Sequence, residues 1–275
     1  MITRPLIYKR PDSCKEAVEA YFEATDQGLA PVYYNGGSEV NTFTRKFKMK
    51  PDVLIDLKGI EETMGLTCKD TTVYIGASVS LNEVIKAAIH PLITSSLASI
   101  ADHTTRNHIT FGGNICGRLP YREAVLPLLL TKDVMAHIQT QEGLVKKTFT
   151  SVFKNRLILN KGEVFVGIEF DKANLPMQAD AIRKTKSGKI DYPLIHVMMS
   201  KEENHLSIAT SGYGSFPDCF ENISMSDVES TSLIDLLLDQ LTDKVKSDGL
   251  GSADYRKNLM KIALGDILKK WEVLG

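Results

Sequence analysis

Asn35-Gly36-Gly37-Ser38 and Thr110-Phe111-Gly112-Gly113-Asn114 are two Gly-Gly turns, and each of them follows apolar sequence. Glycine tolerates positive φ and leaves room for a ligand to approach the backbone. Successive backbone N–H groups in such a turn can converge on an anion. Two turns therefore predict a site for the two phosphates of a dinucleotide, although a Gly-Gly pair alone is more often only a tight turn. Neither turn matches the G-x-G-x-x-G or G-x-x-x-x-G-K-[ST] pattern.

Outward from these turns, strand and helix patterns alternate, which predicts a mixed α and β class. Two S-x-x-E capping boxes, at 13–16 and 80–83, predict helix starts, and Gly28 and Pro91 are expected to end those helices. The last helix is predicted to start near Ser252, with Tyr255, Leu259, Ile262, Ile267 and Trp271 on one apolar face. The other predictions are strands at 31–34, 53–57, 73–77, 134–138, 164–170 and 206–209, helices reaching 100 and covering 126–130 and 227–245, a linker at 171–178 and a polar hairpin turn at 184–189.

Composition excludes several classes of protein. The chain has 275 residues, 43% hydrophobic and 24% charged, which is enough for a sizeable core and too apolar for a disordered chain. A formal net charge of -1 disfavours a general binder of nucleic acid or of anionic membranes. No apolar run approaches the roughly 20 residues of a membrane span. The first residues lack the apolar core of a signal peptide, so a cytoplasmic location is expected.

The cysteine and histidine patterns predict no metal site. Cys14, Cys68, Cys116 and Cys219 are far apart in sequence, so a zinc site or an iron–sulfur cluster built by this chain alone is not expected. The six histidines form neither H-x-x-x-H nor H-E-x-x-H. A basic stretch at 45–50 would either steer a dinucleotide or an acidic partner, or form an ordinary solvated face.

Four further motifs, in a fixed order, carry a family resemblance. Together they cover nearly the whole chain. The first is Asn35–Val40 followed by Lys50–Leu57, the second is Ile75–Ala77, the third is Arg106-Asn107 with Thr110–Ile115, and the last is Ser252–Lys257. They resemble the FAD-binding subunits of the molybdenum hydroxylases, the family of the xanthine dehydrogenase and carbon monoxide dehydrogenase flavoproteins. The prokaryotic xanthine dehydrogenase subunit is the nearest match in chain length.

The resemblance implies an α+β fold. It would be a vanillyl-alcohol-oxidase (PCMH)-type FAD-binding fold of two α+β subdomains, followed by a C-terminal α+β domain like that of the CO dehydrogenase flavoprotein. The expected boundaries are residues 1–57, 58–173 and 174–275.

The resemblance also implies a set of FAD-binding residues. The first stretch would wrap the diphosphate through backbone N–H groups and the Ser38 hydroxyl, and the second would close on the other side. Val164 and Phe165 would line the flavin or the adenine. Lys184 would reach the flavin, with Arg183 as its alternative. The full set is Val32, Tyr33, Tyr34, Asn35, Gly36, Gly37, Ser38, Glu39, Val40, Ala77, Ile109, Thr110, Gly112, Gly113, Asn114, Glu123, Val164, Phe165, Lys184 and Asp191.

One departure from the family pattern concerns N-x-x-x-x-D-P-x-x-D. In this sequence Leu119 stands at the position of the first acid and Glu123 at the position of the second. Glu123 could still accept a hydrogen bond from the cofactor. Arg118 and Arg122 are new neighbours, which would offset phosphate charge or face a partner.

The function that the resemblance implies is electron transfer. A molybdopterin subunit would hydroxylate the substrate, and iron–sulfur clusters of a 2Fe–2S subunit would pass electrons to FAD on this chain, in a heterotrimer. NAD or another acceptor would then receive them, and no residue of this chain would be a catalytic acid or base. Two alternatives remain: a self-contained FAD-dependent oxidase or dehydrogenase, and a flavin-free assembly protein.

Overall fold

The computed structural model describes residues 5–188, 190–225, 230–241 and 245–273 and divides into two compact units. Unit 1 comprises Met1–Ile89, His103–Arg118 and Asp133–Lys172. Unit 2 comprises His90–Asp102, Leu119–Lys132 and Ala173–Gly275. Lys189 of the predicted hairpin turn, and parts of the predicted helix at 227–245, lie outside the described residues.

Helices and strands alternate through most of the described chain. The helices α1 to α11 are, in order, Cys14–Asp26, Ser38–Arg45, Glu61–Met64, Leu81–Lys86, Pro91–Ala98, His103–Arg106, Phe111–Cys116, Leu126–Leu129, Phe149–Val152, Ser230–Leu241 and Ala253–Lys270. The strands β1 to β14 are Ile7–Lys9, Pro31–Tyr34, Val53–Asp56, Leu66–Lys69, Thr72–Gly76, Met135–Gln139, Leu144–Thr148, Phe153–Lys154, Arg156–Leu157, Val164–Asp171, Gln178–Thr185, Pro193–Glu202, His205–Ser211 and Asp218–Ser224.

Unit 1 contains a small parallel sheet with strand order β1-β3-β2. Helix α1 packs on it through Ala17 and Val18, which join Val53 and Ile55 in one buried cluster. The Ser13 hydroxyl caps α1 by accepting the Glu16 N–H at 3.2 Å. The Glu16 carboxylate accepts from the Asp12 N–H and not from Ser13, so only half of the predicted capping box forms.

Unit 1 also contains an antiparallel sheet with strand order β4-β5-β10-β6-β7. Its central strand, β10, is the predicted strand at 164–170 and is buried for most of its length. The second predicted capping box is complete, because Ser80 and Glu83 each bond the other's backbone N–H and start α4. The β5–α4 connection carries Ala77, which becomes important in the site.

Unit 2 is built on an antiparallel sheet with strand order β11-β12-β13-β14. Ile195, Val197 and Ile208 of this sheet form one apolar core with residues of α10 and α11, among them Leu237 and Leu264. Helices α5 and α8 belong to the same unit, and the residues of α8 are all buried, as the apolar pattern at 126–130 predicts. None of the helices in the described ranges is long and apolar enough to cross a membrane.

Three sequence predictions about elements were wrong. Pro91 does not end a helix but is the first residue of α5, because proline lacks the N–H that a first helical residue leaves unused. In α11, Tyr255 and Ile262 are exposed at 51% and 56%, and Arg256 lies on the buried side in their place. Finally, β11 extends to Thr185, so the turn begins two residues beyond its predicted start.

Candidate functional site

The first glycine loop (residues 35–37) connects β2 to α2 in unit 1. Gly37 precedes α2 as its N-cap with φ +73°, a conformation that glycine adopts without strain. A Cβ on Gly36 would lie 1.9 Å from the carbonyl oxygen of His108. The first glycine loop therefore packs backbone to backbone against the second glycine loop (residues 108–114).

Ala77 joins the two glycine loops. Its carbonyl oxygen accepts one hydrogen bond from Asn35 Nδ2 at 3.1 Å and another from the Gly112 N–H at 2.9 Å. A Cβ on Gly112 would lie 2.5 Å from the Cβ of Ala77. Three segments that were predicted to bind FAD, at 35–40, 77 and 109–114, thus meet within unit 1.

The predicted reason for these glycines needs correction. The sequence argument gives them the task of letting a ligand approach, yet the Cβ directions of Gly36, Gly37 and Gly112 all point at protein atoms. Gly37 faces the Tyr34 ring, and the other two face the opposite loop and Ala77. Gly36 is required so that the two loops can touch each other, Gly112 so that the second loop can touch Ala77, and Gly37 so that the first loop can turn beside the Tyr34 ring.

The expectation of an N–H nest also fails in the second glycine loop. The N–H groups of Phe111 and Gly112 donate to the carbonyls of Val79 and Ala77, at 2.8 and 2.9 Å. Those of Gly113 and Asn114 donate to the Thr110 hydroxyl and carbonyl, at 3.2 and 2.9 Å. These N–H groups start α7 and hold it to the β5–α4 connection, so they do not point at a common anion.

The start of α2 has backbone N–H groups that the helix itself does not use. Its first backbone bond closes from the Asn41 N–H to the Gly37 carbonyl, so the N–H groups of its first turn have no acceptor inside the helix. The helix dipole adds a positive potential there. The Glu39 carboxylate, which lies in this turn, accepts the Arg118 N–H at 2.7 Å.

Lys58 contacts the first glycine loop and was not among the residues predicted from the sequence. Its Nζ lies 2.8 and 2.9 Å from the two carboxylate oxygens of Asp56 and donates to the Asn35 carbonyl at 3.1 Å. It also lies 4.5 Å from the centre of the Tyr34 ring. Burial alone would raise the pKa of Asp56, but hydrogen bonds from Lys58 and Tyr8 lower it. A charged residue just after a predicted strand was the available signal.

The two tyrosines of β2 have different roles. Tyr33 stacks on Tyr21 at 5.2 Å between ring centres and donates to the Gly162 carbonyl at 2.6 Å, and its burial raises the pKa of its hydroxyl. Tyr34 faces the first glycine loop, where its hydroxyl accepts from Asn41. Because side chains alternate along a strand, Tyr33 packs against the core and Tyr34 does not. Val32, which precedes them, pairs with Leu54 of β3.

Val164 and Phe165 do not offer the apolar lining that was predicted. Val164 is 1% exposed and belongs to the core cluster under α1. Phe165 is 5% exposed on the neighbouring position of β10. Both side chains are therefore used in packing inside unit 1.

Unit 2 brings Glu123, Arg183 and His196 into one buried cluster. Arg183 Nε donates to Glu123 Oε1 at 2.7 Å, and His196 Nδ1 lies 2.8 Å from the same oxygen. Arg183 Nη2 donates to the carbonyl of Asp191 at 2.6 Å. Burial would raise the pKa of Glu123, but the hydrogen bonds and charges of His196 and Arg183 lower it below its usual value.

Lys184 lies apart from this cluster. It is exposed, whereas Arg183 has a side chain only 11% exposed. Adjacent residues of a strand point to opposite faces, so the two cannot share a role. Lys184 is therefore not part of this cluster, and its contact with the flavin, with Arg183 as the alternative, stays a prediction.

Three residues at the departure from the family pattern N-x-x-x-x-D-P-x-x-D lie in different environments. Leu119 is 38% exposed. Arg118 lies 6.0 Å from the centre of the Phe43 ring in unit 1. Arg122 is buried at 3% exposure, with its guanidinium 6.0 Å from the centre of the Phe216 ring in unit 2. Arg122 is thus not part of the exposed surface on which a partner would dock.

Comparison with known proteins gives one family and a clear fold. Residues 3–171 match the model described as FAD binding domain in molybdopterin dehydrogenase. Caffeine dehydrogenase subunit beta of Pseudomonas sp. (strain CBB1) is 26% identical over 129 residues, 45% of this chain and 42% of that protein. The chain thus matches less than half the length of this curated relative.

Solved structures of low identity share the whole fold. Quinoline 2-oxidoreductase from Pseudomonas putida 86 gives a TM-score of 0.82 at 20% identity, over 98% of both chains. Carbon monoxide dehydrogenase from Hydrogenophaga pseudoflava, in a form that lacks the Mo-pyranopterin moiety, gives 0.81 at 22% identity, over 96% of this chain and 98% of that one. These likenesses confirm the predicted α+β FAD-binding fold.

The family match and the fold together define a FAD-binding domain of the oxidoreductase class. The chain belongs to the FAD-binding domain family of the molybdopterin dehydrogenases, and FAD is its cofactor. The family resemblance that the glycine turns and the later motifs indicate is thereby confirmed.

Proposed function

We propose that the chain is the FAD-binding electron-transfer subunit of a molybdopterin-dependent hydroxylase of the xanthine dehydrogenase type. The observation that carries this proposal is the family match over residues 3–171, together with the meeting of both glycine loops at Ala77. The xanthine dehydrogenase type is supported by the relative whose name states that it acts on caffeine, a methylated xanthine. NAD is the acceptor that we propose.

The proposal includes two partner subunits. A molybdopterin subunit would hydroxylate the substrate, and a 2Fe–2S subunit would deliver the electrons, in a heterotrimer. The four cysteines support this division, since no two are spaced to hold a cluster. A cytoplasmic location goes with the proposal, because an NAD pool would receive the electrons there.

We propose that the predicted residues of unit 1 hold the FAD. Phosphate oxygens would accept hydrogen bonds from the first-turn N–H groups of α2 and from the Ser38 hydroxyl. Asn35 Oδ1 is a buried acceptor without a hydrogen-bond partner among the described atoms, and a cofactor hydroxyl would satisfy it. These donors and this acceptor fit the phosphates and hydroxyls of a dinucleotide.

The other proposed contacts follow the corrections above. Seven residues stay in the proposed set because they lie on or beside the two loops. They are Tyr34, Glu39, Val40, Ile109, Thr110, Gly113 and Asn114. In unit 2 we retain Glu123, Asp191 and Lys184, with Arg183 as the alternative to Lys184. The proposed domains remain 1–57, 58–173 and 174–275, a division supported by the three main sheets, which occupy residues 7–56, 66–171 and 178–224.

FAD, when bound, would accept two electrons singly, together with one proton from solvent, and would supply them to an acceptor as a hydride. The residues of this chain bind and orient it: α2 offers N–H groups to its phosphates, and Asn35 offers one acceptor. Lys58 fixes the Asn35 carbonyl. We assign no proton transfer to any side chain, since neither an electron nor a hydride transfer at the flavin needs one from the protein.

Cofactor content is the first test. An absorbance spectrum of the purified chain is measured before and after FAD is added, and the released cofactor is identified after denaturation. Bound, releasable FAD is expected. FMN in its place would contradict the two-phosphate site, and a chain that takes up no flavin would favour the assembly protein.

Electron transfer is the second test. The chain with reduced FAD is mixed with NAD, and NADH formation is followed. NADH is expected, whereas oxidation by other acceptors alone would remove NAD from the proposal. If xanthine alone reduced the flavin of the isolated chain, the self-contained oxidase would replace the electron-transfer subunit.

A further inference from the structure

Arg118 is an exposed cation that is held against α2 in unit 1. Its backbone N–H donates to the Glu39 carboxylate at 2.7 Å. Its guanidinium carbon lies 6.0 Å from the centre of the Phe43 ring. Glu39 and Phe43 are four residues apart in α2, so they lie on one face of the helix, one above the other. The main chain and the side chain of Arg118 thus both contact this face.

The turn that follows α7 explains why Arg118 reaches α2. The helix ends at Cys116, and Gly117 follows it with an extended ψ of 155° that leaves the helical path. A Cβ on Gly117 would lie 3.1 Å from the Gly113 carbonyl oxygen and 3.5 Å from Glu39 Oε1. The end of α7 therefore packs closely on the first turn of α2 and brings Arg118 to it.

The first turn of α2 needs a cation if it is to hold a diphosphate. Its N–H groups and the helix dipole attract an anion. Glu39 places a carboxylate in the same turn, and two ionised phosphates would be repelled by that charge and by each other. A positive side chain beside this turn would offset the repulsion.

Two other cations of the region are less suited to this task. Lys58 is paired with Asp56 at 2.8 Å and donates to the Asn35 carbonyl. Arg45 lies in the last turn of an eight-residue helix, about 12 Å from its start, which exceeds the screening length of about 8 Å at physiological salt. The Arg118 guanidinium, in contrast, makes no hydrogen bond or ion pair with any residue in the described ranges.

The Arg118 guanidinium lies within reach of the first turn. Cα–Cβ bonds in a helix tilt toward its N-terminus, so the Phe43 ring leans over the turn that contains Glu39. One turn rises only about 5.4 Å, and the flexible Arg118 side chain starts beside that same turn. Rotation about its side-chain bonds would therefore carry the guanidinium from the ring to a bound phosphate while the backbone stays in place.

We infer that Arg118 binds the diphosphate of FAD, an inference that rests on the proposed placement of the phosphates at the start of α2. A guanidinium donates two parallel hydrogen bonds to a phosphate, and these are stronger than an exposed contact with a phenyl ring. Bound FAD would therefore draw the guanidinium away from Phe43. Of the two roles that the sequence leaves open for Arg118, this is the offset of phosphate charge and not the contact with a partner.

The inference is tested by FAD binding to the full-length chain from which the flavin has been removed. The Kd is measured by flavin fluorescence titration at several salt concentrations. ADP, which carries the diphosphate without the flavin, is measured as a competitor. The variants are Arg118→Gln and Arg118→Lys, and Arg45→Gln is the matched control, because it makes the same change of charge at the other end of α2.

Arg118→Gln is expected to weaken the binding of FAD and of ADP by the same factor, about tenfold, and to flatten the salt dependence of both. Arg118→Lys keeps the charge but not the paired donors, so a smaller loss of about threefold is expected, with the salt dependence of wild type. Arg45→Gln is expected to stay within about twofold of the wild-type Kd.

Three results would overturn the inference and leave the proposed site intact. The first is a wild-type FAD affinity in Arg118→Gln while Ser38→Ala, which removes a predicted phosphate donor, weakens binding. The second is an equal loss in Arg118→Gln and Arg118→Lys with unchanged salt dependence, which would mean that Arg118 acts by packing on Phe43. The third is a loss for FAD without a loss for ADP.

The failure of the proposed site itself gives a different result. Wild-type affinity for FAD in both Arg118→Gln and Ser38→Ala would remove the phosphates from the start of α2, and the inference would fall with that placement.

Discussion

Gly36 and His108 are in direct backbone contact, which makes the two glycine loops of unit 1 a single structural element. The space where a Gly36 Cβ would lie is filled by the His108 carbonyl oxygen, 1.9 Å from the ideal Cβ position. The loops are further joined through the Ala77 carbonyl, which accepts from both of them. A change in either loop is therefore expected to move the other, and with it the start of α2.

Gly36→Ala is expected to weaken FAD binding at least about tenfold and to destabilise the chain by about 2 kcal/mol, because a Cβ must push the loops apart. Flavin fluorescence titration and urea unfolding measure the two effects. The control is Gly249→Ala, whose Cβ would have nothing within 4 Å. FAD affinity equal to wild type in Gly36→Ala would show that the loop contact does not shape the site.

Lys58→Met is expected to weaken FAD binding about fivefold, because it removes the donor that fixes the Asn35 carbonyl. The double variant Lys58→Met/Asp56→Asn removes both charges of the ion pair, so its Kd should depend on salt as that of wild type does. Lys15→Met, an exposed lysine of α1, is the control. A flatter salt dependence in the double variant would instead place Lys58 on the phosphates.

Glu123→Gln is expected to destabilise the chain by about 3 kcal/mol at pH 7, because it breaks a buried ion pair and leaves the Arg183 charge uncompensated. The folded-state pKa of Glu123 is lowered, so its stabilising contribution is fully present above an unfolded-state pKa of about 4.3. That contribution is lost as the pH falls through the lowered, folded-state pKa.

The difference in unfolding free energy between wild type and Glu123→Gln should therefore narrow below pH 4, as measured by urea unfolding across pH. Glu202→Gln is the matched control, because the Glu202–Lys132 pair is more than half exposed and contributes little. A difference that stays constant down to pH 3 would mean that Glu123 is not held ionised by its neighbours.

The sequence motifs predicted where the candidate site lies, but they gave the wrong reason for its glycines. The capping pattern at 80–83 and the strands at 31–34 and 164–170 were recoverable because they depend on local chemistry. The choice between Arg183 and Lys184 was not, because one residue of alignment error exchanges the two faces of a strand. Lys58 escaped notice because its contacts, apart from Asp56, are with residues distant in sequence, Asn35 and Tyr34.

The last helix also makes contacts with residues distant in sequence that its sequence pattern did not predict. Its apolar residues predicted a buried face through Tyr255 and Ile262, yet the structure turns Arg256 inward instead. Arg256 Nη1 donates to the carbonyls of Leu194 and Gly212, at 2.5 and 2.9 Å, which no hydrophobic pattern reveals. The Ser252–Lys257 motif thus has a structural role in unit 2, and Arg256 is its central residue.

Arg256→Met is accordingly expected to destabilise unit 2 by at least about 3 kcal/mol. Methionine fills part of the volume but leaves two buried carbonyls without their donor and Asp248, 2.6 Å from Nη2, without its cation. Urea unfolding and limited proteolysis, with cleavage expected first within residues 173–275, measure the loss. Lys261→Met on the same helix is the control, because its ion pair with Asp235 is more than half exposed. Wild-type stability in Arg256→Met would mean that the buried guanidinium is replaceable by apolar packing, and that the motif's arginine has some role other than holding α11 to the sheet.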